Sequence, residues 1–249
     1  MNDLKGKVAV VSGASKGIGA GIAKAMAEAG AAVVVNYVGS KEAAQRVVDE
    51  IVSKGGRAIA AQGDVSKAAD VRKLFANMKA AFGTIDILVN NAGIGSFATV
   101  EAVTKEQCRR LFDTNVLGTV LMIQEALKHF GPNGGSIINI SSVVSVSPTP
   151  GSDIYAATKA AVDTITTVLA MEVGSRKIRV NALAPGPVDT EATRGAGLVG
   201  SDLEKQFVAQ TPLARLGQPE DIAKIAVFLA SDDAGWVTGA WIRASGGLQ

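Results

Sequence analysis

Residue types that mark particular protein classes are scarce in this sequence. It has one cysteine, Cys108, and one histidine among 249 residues, so an intrachain disulfide is impossible and no Cys/His cluster predicts a metal site. Basic and acidic side chains nearly balance, 25 against 23, and the absence of a basic run argues against nucleic acid as a partner. No apolar stretch approaches the roughly 20 residues of a membrane span. Residues 1–7 are polar and lack the hydrophobic region of a signal peptide, so we expect a cytoplasmic protein without a membrane partner.

Hydrophobic residues are abundant, at 47% of the chain, and they recur in short continuous runs separated by amphipathic segments. Such runs are typical of strands that are buried on both faces of a parallel sheet. Seven of them occur, at 8–11, 32–35, 58–61, 85–89, 136–140, 178–183 and 240–244. The pattern predicts an α/β fold, with a Rossmann-type, doubly wound, seven-stranded parallel sheet flanked by helices.

Local signals predict two helix starts and one loop. Thr104 and Gln107 form a capping box, in which the hydroxyl and the amide exchange hydrogen bonds with backbone N–H groups. Pro219 is suited to the first turn of another helix, and two acidic residues follow it where the helix dipole favours them. The stretch 186–215 is rich in Gly, Thr and charge, has a weak pattern, and is predicted to be a mobile loop over a site.

A glycine-rich turn follows the first predicted strand. Its spacing is G-x-x-x-G-x-G, and a helix rich in alanine comes next. Backbone N–H groups at a helix N-terminus favour an anion, and missing Cβ atoms let a pyrophosphate come close. From spacing alone, a tight turn with close helix packing is the alternative interpretation. The predicted dinucleotide-binding residues of this turn are Gly13, Ser15, Lys16, Gly17, Ile18 and Gly19.

The end of the second predicted strand bears on which dinucleotide is bound. An acidic residue there would bind the ribose of NAD, but the strand ends in Asn36 and Tyr37. Without a carboxylate to repel a 2′-phosphate, Lys16 and Lys41 can attract it, and Asn36 and Ser40 can hydrogen-bond it. This favours NADP(H) as cofactor and leaves NAD(H) possible. The alternative is that both lysines are ordinary surface charges.

Tyr155 and Lys159 are four residues apart, so on a helix their side chains lie on one face. A lysine cation beside a tyrosine lowers the tyrosine pKa from about 10, which suits a proton donor to a ketone oxygen near neutral pH. Taken alone, such a pair is better explained as a surface pair. However, Ser142 follows the predicted strand 136–140, and Asn90 to Gly93 follow the strand 85–89. Ligands collect at such strand ends in open α/β sheets, so we expect these residues to share a site.

Taken in order, these motifs resemble those of the short-chain dehydrogenase/reductase family, in its short single-domain branch. The matching pieces run through nearly the whole chain and are Gly13-x-x-x-Gly17-x-Gly19, Asp64-Val65, Asn90-Asn91-Ala92-Gly93, Asn115, Ser142, Tyr155 with Lys159, and Pro185-Gly186. Two departures from the family pattern are Ser12 where threonine is usual, and Ser245 where the C-terminal motif usually has aspartate. The resemblance implies one dinucleotide-binding and catalytic domain over residues 1–249.

The resemblance also implies a role for each catalytic residue. Tyr155 would be the general acid when a ketone is reduced and the general base when an alcohol is oxidised. Lys159 would lower the pKa of Tyr155 and hold the nicotinamide ribose. Ser142 would hydrogen-bond the substrate oxygen, and Asn115 would anchor a water that relays protons to Lys159.

The remaining cofactor contacts and the assembly follow from the same resemblance. Adenine would be held by Asp64 and Val65, and the adenosine ribose region by Asn91, Ala92 and Gly93. The nicotinamide end would be contacted by Pro185, Gly186, Val188 and Thr190. The family resemblance implies a homotetramer, packed through helices near 104–130 and 152–174.

Several activities remain open at this point. The first is a carbonyl reductase that reduces a small-molecule ketone with NADPH. The second is a 3-oxoacyl-carrier-protein reductase, for which Arg176 matches a basic position although 132–135 lacks a basic cluster. The third is a sugar 1-dehydrogenase. A dinucleotide-sensing regulatory protein on the same fold is the alternative from another class, and it predicts damage to the Asn, Ser, Tyr and Lys set, which is intact.

Overall fold

The computed structural model describes residues 3–248, and in them the predicted sheet is present, with all its strands parallel. Each predicted run forms a strand, with bounds shifted by at most two residues. The strands are β1 (Val8–Val11), β2 (Ala32–Tyr37), β3 (Arg57–Gln62), β4 (Ile87–Asn90), β5 (Gly135–Ile140), β6 (Ile178–Pro185) and β7 (Trp241–Ala244). The predicted fold class is therefore confirmed.

Helices cover both faces of the sheet. Those of the described residues are α1 (Gly17–Glu28), α2 (Lys41–Ser53), α3 (Ala68–Phe82), α4 (Lys105–Phe112), α5 (Gly118–Ala126), α6 (Asp153–Val173), α7 (Glu191–Gly195), α8 (Asp202–Gln210) and α9 (Pro219–Ala230). Both predicted helix starts are confirmed: Gln107 N donates to Thr104 Oγ1 over 3.1 Å, and Pro219 begins α9. Two short helices, α7 and α8, lie within the stretch 186–215, whose mobility stays a prediction. None of the described helices combines the length and the apolar character that a membrane crossing requires.

The strand order is β3-β2-β1-β4-β5-β6-β7. The chain runs outward from β1 to β3 and then returns to place β4 on the other side of β1, so the connections diverge between β1 and β4. Ligands bind at such a switch point, beyond the carboxyl ends of the strands. This order brings the glycine turn after β1 next to the segment 91–93, which follows β4.

The core lies on both faces of the sheet, which explains the continuous apolar runs in the sequence. Successive strand residues point to opposite faces, so Ala9 and Val11 pack in one cluster while Val8 and Val10 pack in the other. All four residues of β1 are buried. A strand that is buried on both sides is therefore mostly apolar, and its few buried polar residues, such as Asn36 in β2, need hydrogen-bond partners inside the protein.

Candidate active site

The glycine turn packs directly against the segment that follows β4. At Gly13, where φ is +61°, an added Cβ would lie 2.9 Å from Ala92 Cα. At Gly19 it would lie 2.4 Å from Asn91 Nδ2. Close packing therefore requires glycine at both positions, which agrees with the tight-turn interpretation of the motif, and dinucleotide binding by the same turn stays a prediction.

Ser12 braces this contact. Its Oγ accepts hydrogen bonds from the backbone N–H groups of Asn91 and Ala92, both over 2.9 Å, and donates to the Val89 carbonyl over 3.2 Å. The Asn91 side chain donates in return to the Ser12 and Gly13 carbonyls over 2.9 and 3.1 Å. Ser12 is not among the residues predicted to bind the dinucleotide. The sequence signal that could have indicated its role is a hydroxyl placed directly after a buried strand. Serine and threonine both carry a hydroxyl, so Ser12 makes these three hydrogen bonds although threonine is usual at this position.

Asn36 has a different role from the one expected. Its side chain is 1% exposed, its Oδ1 accepts from Gly13 N over 3.1 Å, and its Nδ2 donates to the Ala61 and Gly63 carbonyls over 3.2 and 2.9 Å. The side chain is fully occupied inside the protein, so its assignment as a hydrogen-bond partner of a 2′-phosphate is wrong. Tyr37 is also buried, at 7% exposure, within the core. Both side chains therefore lie in the interior of the protein.

Replacing Asn36 by alanine should lower the free energy of unfolding by about 3 kcal/mol, because the partly buried N–H of Gly13 and the buried carbonyls of Ala61 and Gly63 each lose the hydrogen bond to its side chain. The affinities for NADPH and NADH should fall by the same factor, since the glycine turn loses its support. Urea unfolding and fluorescence titration would measure both effects.

Gln62→Ala is the matched control for this change, because the exposed Gln62 also donates from a side-chain amide to a carbonyl, that of Val38, over 2.9 Å. It should change stability by no more than about 0.5 kcal/mol. If Asn36→Ala weakened the binding of NADPH but not of NADH, at unchanged stability, Asn36 would contact the 2′-phosphate directly after all.

Three other predicted cofactor residues are exposed at the rim of this region. Lys16 precedes α1, and Ser40 and Lys41 begin α2 directly after β2. The Ser40 side chain makes no capping bond to its helix, which leaves its hydroxyl available. Of the predicted residues around a 2′-phosphate, these three are therefore the ones in a position to bind it.

The predicted adenine residues follow β3. Asp64 Oδ1 accepts from the backbone N and the hydroxyl of Ser66, over 3.0 and 2.7 Å. Val65 is 3% exposed, and Gly118, where an added Cβ would lie 2.7 Å from Val65 Cγ2, allows it to pack there. Little of the Val65 side chain is left to contact a ligand, so only its backbone could make the predicted contact with adenine.

Lys159 is buried beside the segment that follows β4. Its Nζ donates to the Ile140 carbonyl over 2.8 Å. A Cβ added at Gly93 would lie 3.5 Å from that Nζ and 3.3 Å from Asn115 Oδ1, so the two polar groups converge on this glycine. Burial lowers the pKa of Lys159 to about 8, and the Asp163 carboxylate partly opposes the shift.

Asn115 lies in a π-helical turn, Asp113–Leu117, between α4 and α5. Its Oδ1 accepts from Ile94 N over 2.9 Å, and its Nδ2 donates to the Ile94 carbonyl over 2.9 Å and to Thr158 Oγ1 over 3.0 Å. Such turns are frequent at functional sites, because the extra residue redirects a side chain. Asn115 thus ties the segment after β4 to α6, next to Lys159. No sequence signal indicated Thr158 as its partner.

Tyr155 is half-buried in the first turn of α6, and burial raises the pKa of its hydroxyl while the nearby Ser142 side chain lowers it. The Lys159 Nζ is turned to the Ile140 carbonyl and lies 5.7 Å from the centre of the Tyr155 ring. The expected lowering of the tyrosine pKa by the lysine is therefore wrong for this arrangement, in which desolvation has the larger effect. The predicted grouping of Tyr155, Lys159 and Ser142 is nevertheless present at the carboxyl end of β5.

The predicted nicotinamide-end residues follow β6. Gly186 N donates to the Ala244 carbonyl over 3.1 Å, and Val188 is buried beside Gly217. Thr190 caps α7, and its side chain lies close to Gly17. This segment therefore crosses from β6 to the N-terminus of α1, on the same edge of the sheet as Tyr155. The described residues include no group of three or more His, Cys, Asp or Glu side chains arranged to hold a metal ion.

Comparison with known proteins gives relatives over the full length. A family model described as enoyl-(acyl carrier protein) reductase matches residues 13–249. An uncharacterized oxidoreductase of Methylorubrum extorquens is 57% identical, covering 100% of both chains. Versicolorin reductase of Emericella nidulans is 41% identical, covering 98% of this chain and 96% of its own.

Solved structures agree with these relatives. A short-chain dehydrogenase/reductase of Serratia marcescens superposes with a TM-score of 0.93 at 36% identity, covering 98% of both chains. The angucycline C-6 ketoreductase LanV, solved with bound NADP, also reaches 0.93 at 36% identity, covering 99% of this chain and 96% of its own. Sequence and structure therefore select the same group of enzymes.

Proposed function

Because this chain belongs to the short-chain dehydrogenase/reductase family, whose members act on CH–OH and C=O groups, we propose that it reduces a ketone to a secondary alcohol with NADPH. The observation that carries the proposal is the convergence of Tyr155, Ser142 and Lys159 beside the segment after β4, which itself packs on the glycine turn. NADPH, when bound, supplies the hydride. The protein has to orient the ketone, donate a proton and stabilise the charge on the oxygen.

The geometry supports Tyr155 as the proton donor. Because burial raises the pKa of its hydroxyl, the group is protonated at neutral pH and can donate to the ketone oxygen. Ser142, close to the same hydroxyl, can donate a second hydrogen bond to that oxygen. Lys159, buried and held by the Ile140 carbonyl, can bind ribose hydroxyls with its remaining N–H groups.

The turn after β1 fits a dinucleotide phosphate. Its Gly17 N–H already donates to a carboxylate oxygen, Glu191 Oε2, over 3.0 Å, so this backbone group can bind an anionic oxygen. For the 2′-phosphate of NADP, the exposed Lys16 and Lys41 and the Ser40 hydroxyl are the available partners. The bound NADP of LanV is consistent with this preference.

Replacing Lys16 and Lys41 together by alanine should raise the Kd of NADPH roughly five- to tenfold, because two exposed charge contacts to the 2′-phosphate are lost. The Kd of NADH, which lacks that phosphate, should not change. Lys128→Ala, which removes an exposed lysine paired with Glu125, is the control and should affect neither. An equal rise in the Kd of NADPH and of NADH would mean that the two lysines contact a part of the dinucleotide that both cofactors share.

The surroundings of Tyr155 favour an apolar ketone. The Phe97 ring, 65% exposed, lies tilted against the Tyr155 ring with 5.7 Å between centroids, and Val146 is 55% exposed near Ser142 in sequence. An exposed aromatic ring beside a proton donor can stack on a flat substrate. Among the similar proteins, one is named a versicolorin reductase and LanV is named an angucycline C-6 ketoreductase, which supports a ketone as the substrate class.

The carrier-protein alternative draws on Arg176, which makes a hydrogen bond within the chain. Arg176, which sequence reasoning offered as a basic position for an acidic carrier, donates from Nη2 to the Leu127 carbonyl over 2.6 Å. Its guanidinium thus binds a backbone carbonyl at the C-terminal end of α5. The side chain stays exposed, and its remaining N–H groups can still bind an acidic carrier.

The proposed function is tested by following NADPH and, separately, NADH absorbance with a ketone panel. The panel contains a substituted acetophenone, a 1,2-diketone, ethyl acetoacetate and an acetoacetyl thioester. We expect NADPH consumption, with the aryl ketone favoured. Fastest turnover of the thioester would support the carrier-protein alternative, and binding of both cofactors without consumption would support a sensor.

A further inference from the structure

A carboxylate occupies the N-terminus of α1. The backbone N–H of Gly17, the first residue of this 12-residue helix, donates to Glu191 Oε2 over 3.0 Å, across 174 residues of sequence. The residue before the helix, Lys16, offers no side-chain cap. Glu191 therefore supplies an acceptor for an N–H group that its own helix leaves unpaired.

This position coincides with the one that a cofactor phosphate requires. Glycine turns of this kind bind the dinucleotide phosphates with the N–H groups of the first helical turn, helped by the positive end of the helix dipole. A carboxylate and a phosphate oxygen compete for the same donor, because each N–H makes one strong bond. Glu191 and the dinucleotide phosphates cannot both bind the Gly17 N–H.

The segment that carries Glu191 is internally organised, so it can move as a unit. Thr190 and Thr193 form a capping box at the start of α7, and the Arg194 guanidinium pairs with both oxygens of Asp189 over 2.7 and 2.9 Å. The Thr190 side chain also lies over Gly17, 3.4 Å from where a Cβ would be. Displacement of Glu191 would thus release the whole turn from the glycine loop.

We propose that Glu191 is a placeholder for the cofactor phosphate, which closes α7 onto the glycine turn in the free protein and must leave when the dinucleotide binds. The idea rests on the proposed function, and it adds a determinant of cofactor affinity that no sequence motif indicates. It also links cofactor entry to movement of the segment 189–195, which lies at the same edge of the sheet as Tyr155.

The competition has a distinct signature. NADPH and NADH share the same pyrophosphate, so removal of the Glu191 charge should improve both equally. Adenosine 2′-monophosphate lacks that group and should be unaffected. A 2′-phosphate contact would show the opposite pattern, with NADPH and adenosine 2′-monophosphate changing together.

The experiment measures Kd by isothermal titration for these three ligands in the wild type and in Glu191→Gln, which keeps the shape of the side chain and removes its charge. We expect the Kd of NADPH and of NADH to fall about two- to fivefold, the range of exposed charge effects at a helix N-terminus. Added salt should reduce the gain, because the interaction is exposed.

Glu204→Gln is the matched control. Glu204 also accepts a backbone N–H with its carboxylate, that of Gly200, within the same stretch 186–215. It should leave all three Kd values unchanged. An unchanged or higher Kd for the dinucleotides in Glu191→Gln, or the same gain in Glu204→Gln, would overturn the proposal. Absence of binding to the wild type would instead overturn the proposed function.

Discussion

Replacing Tyr155 by phenylalanine should lower kcat for ketone reduction by about 10²–10⁴-fold, the usual contribution of a positioned proton donor. The change removes one oxygen atom and keeps the ring that packs against Phe97. The ketone oxygen would then lose its proton source, while Ser142 and Lys159 stay in place. Initial rates of NADPH consumption, at saturating ketone, would measure the effect.

The Kd of NADPH is the control for this variant, because the tyrosine ring and the glycine turn remain. An unchanged Kd with a collapsed kcat would assign the loss to proton transfer. A variant that retained its rate would require another acid at the site and would contradict the mechanism proposed above.

Replacing Lys159 by methionine should abolish turnover and alter the pH dependence of stability. Burial lowers the pKa of this lysine to about 8 in the folded protein, from 10.5. Between these two values the unfolded chain binds a proton that the folded chain lacks, so wild-type stability rises with pH across this window. Below pH 8 the buried cation costs about 3 kcal/mol, a cost that vanishes as the pH rises through 10.5.

Relative to Lys159→Met, the wild type should therefore gain about 2 kcal/mol of unfolding free energy from pH 7 to pH 10. Urea unfolding of both proteins at several pH values would measure it, and the difference cancels the titration of all other groups. Lys128→Met, a substitution of an exposed lysine, should follow the wild type at every pH. A constant difference for Lys159→Met would mean that Lys159 is hydrated in the folded protein.

Much of the architecture could be predicted because it depends on local pattern. The run from Val8 to Val11 is apolar at every position, which only a strand buried on both faces requires, and β1 is buried at every position. The capping box at Thr104 and the proline at position 219 marked helix starts to the residue. The grouping of Ser142, Tyr155 and Lys159 followed from strand ends that share one edge of the sheet.

The contacts that decide how the site works were not predictable in this way. Asn36 reaches Gly13 across 23 residues, and Glu191 reaches Gly17 across 174, so no local spacing indicates either bond. The sequence offered Asn36 as a phosphate ligand because the residue type allows it. Only the packing of β2 against β3 and the glycine turn turned its amide inward.

The sequence by itself determined the fold class, the position of the glycine turn and the grouping of Ser142, Tyr155 and Lys159 at one sheet edge, because each depends on residue type and on spacing within one element or at one sheet edge. The tertiary structure decided the direction of the Tyr155 pKa, the inward role of Asn36 and the contact of Glu191 with the glycine turn. These depend on burial and on which distant segments meet. Both are set by the order of strands in the sheet, and no single segment of the chain encodes that order.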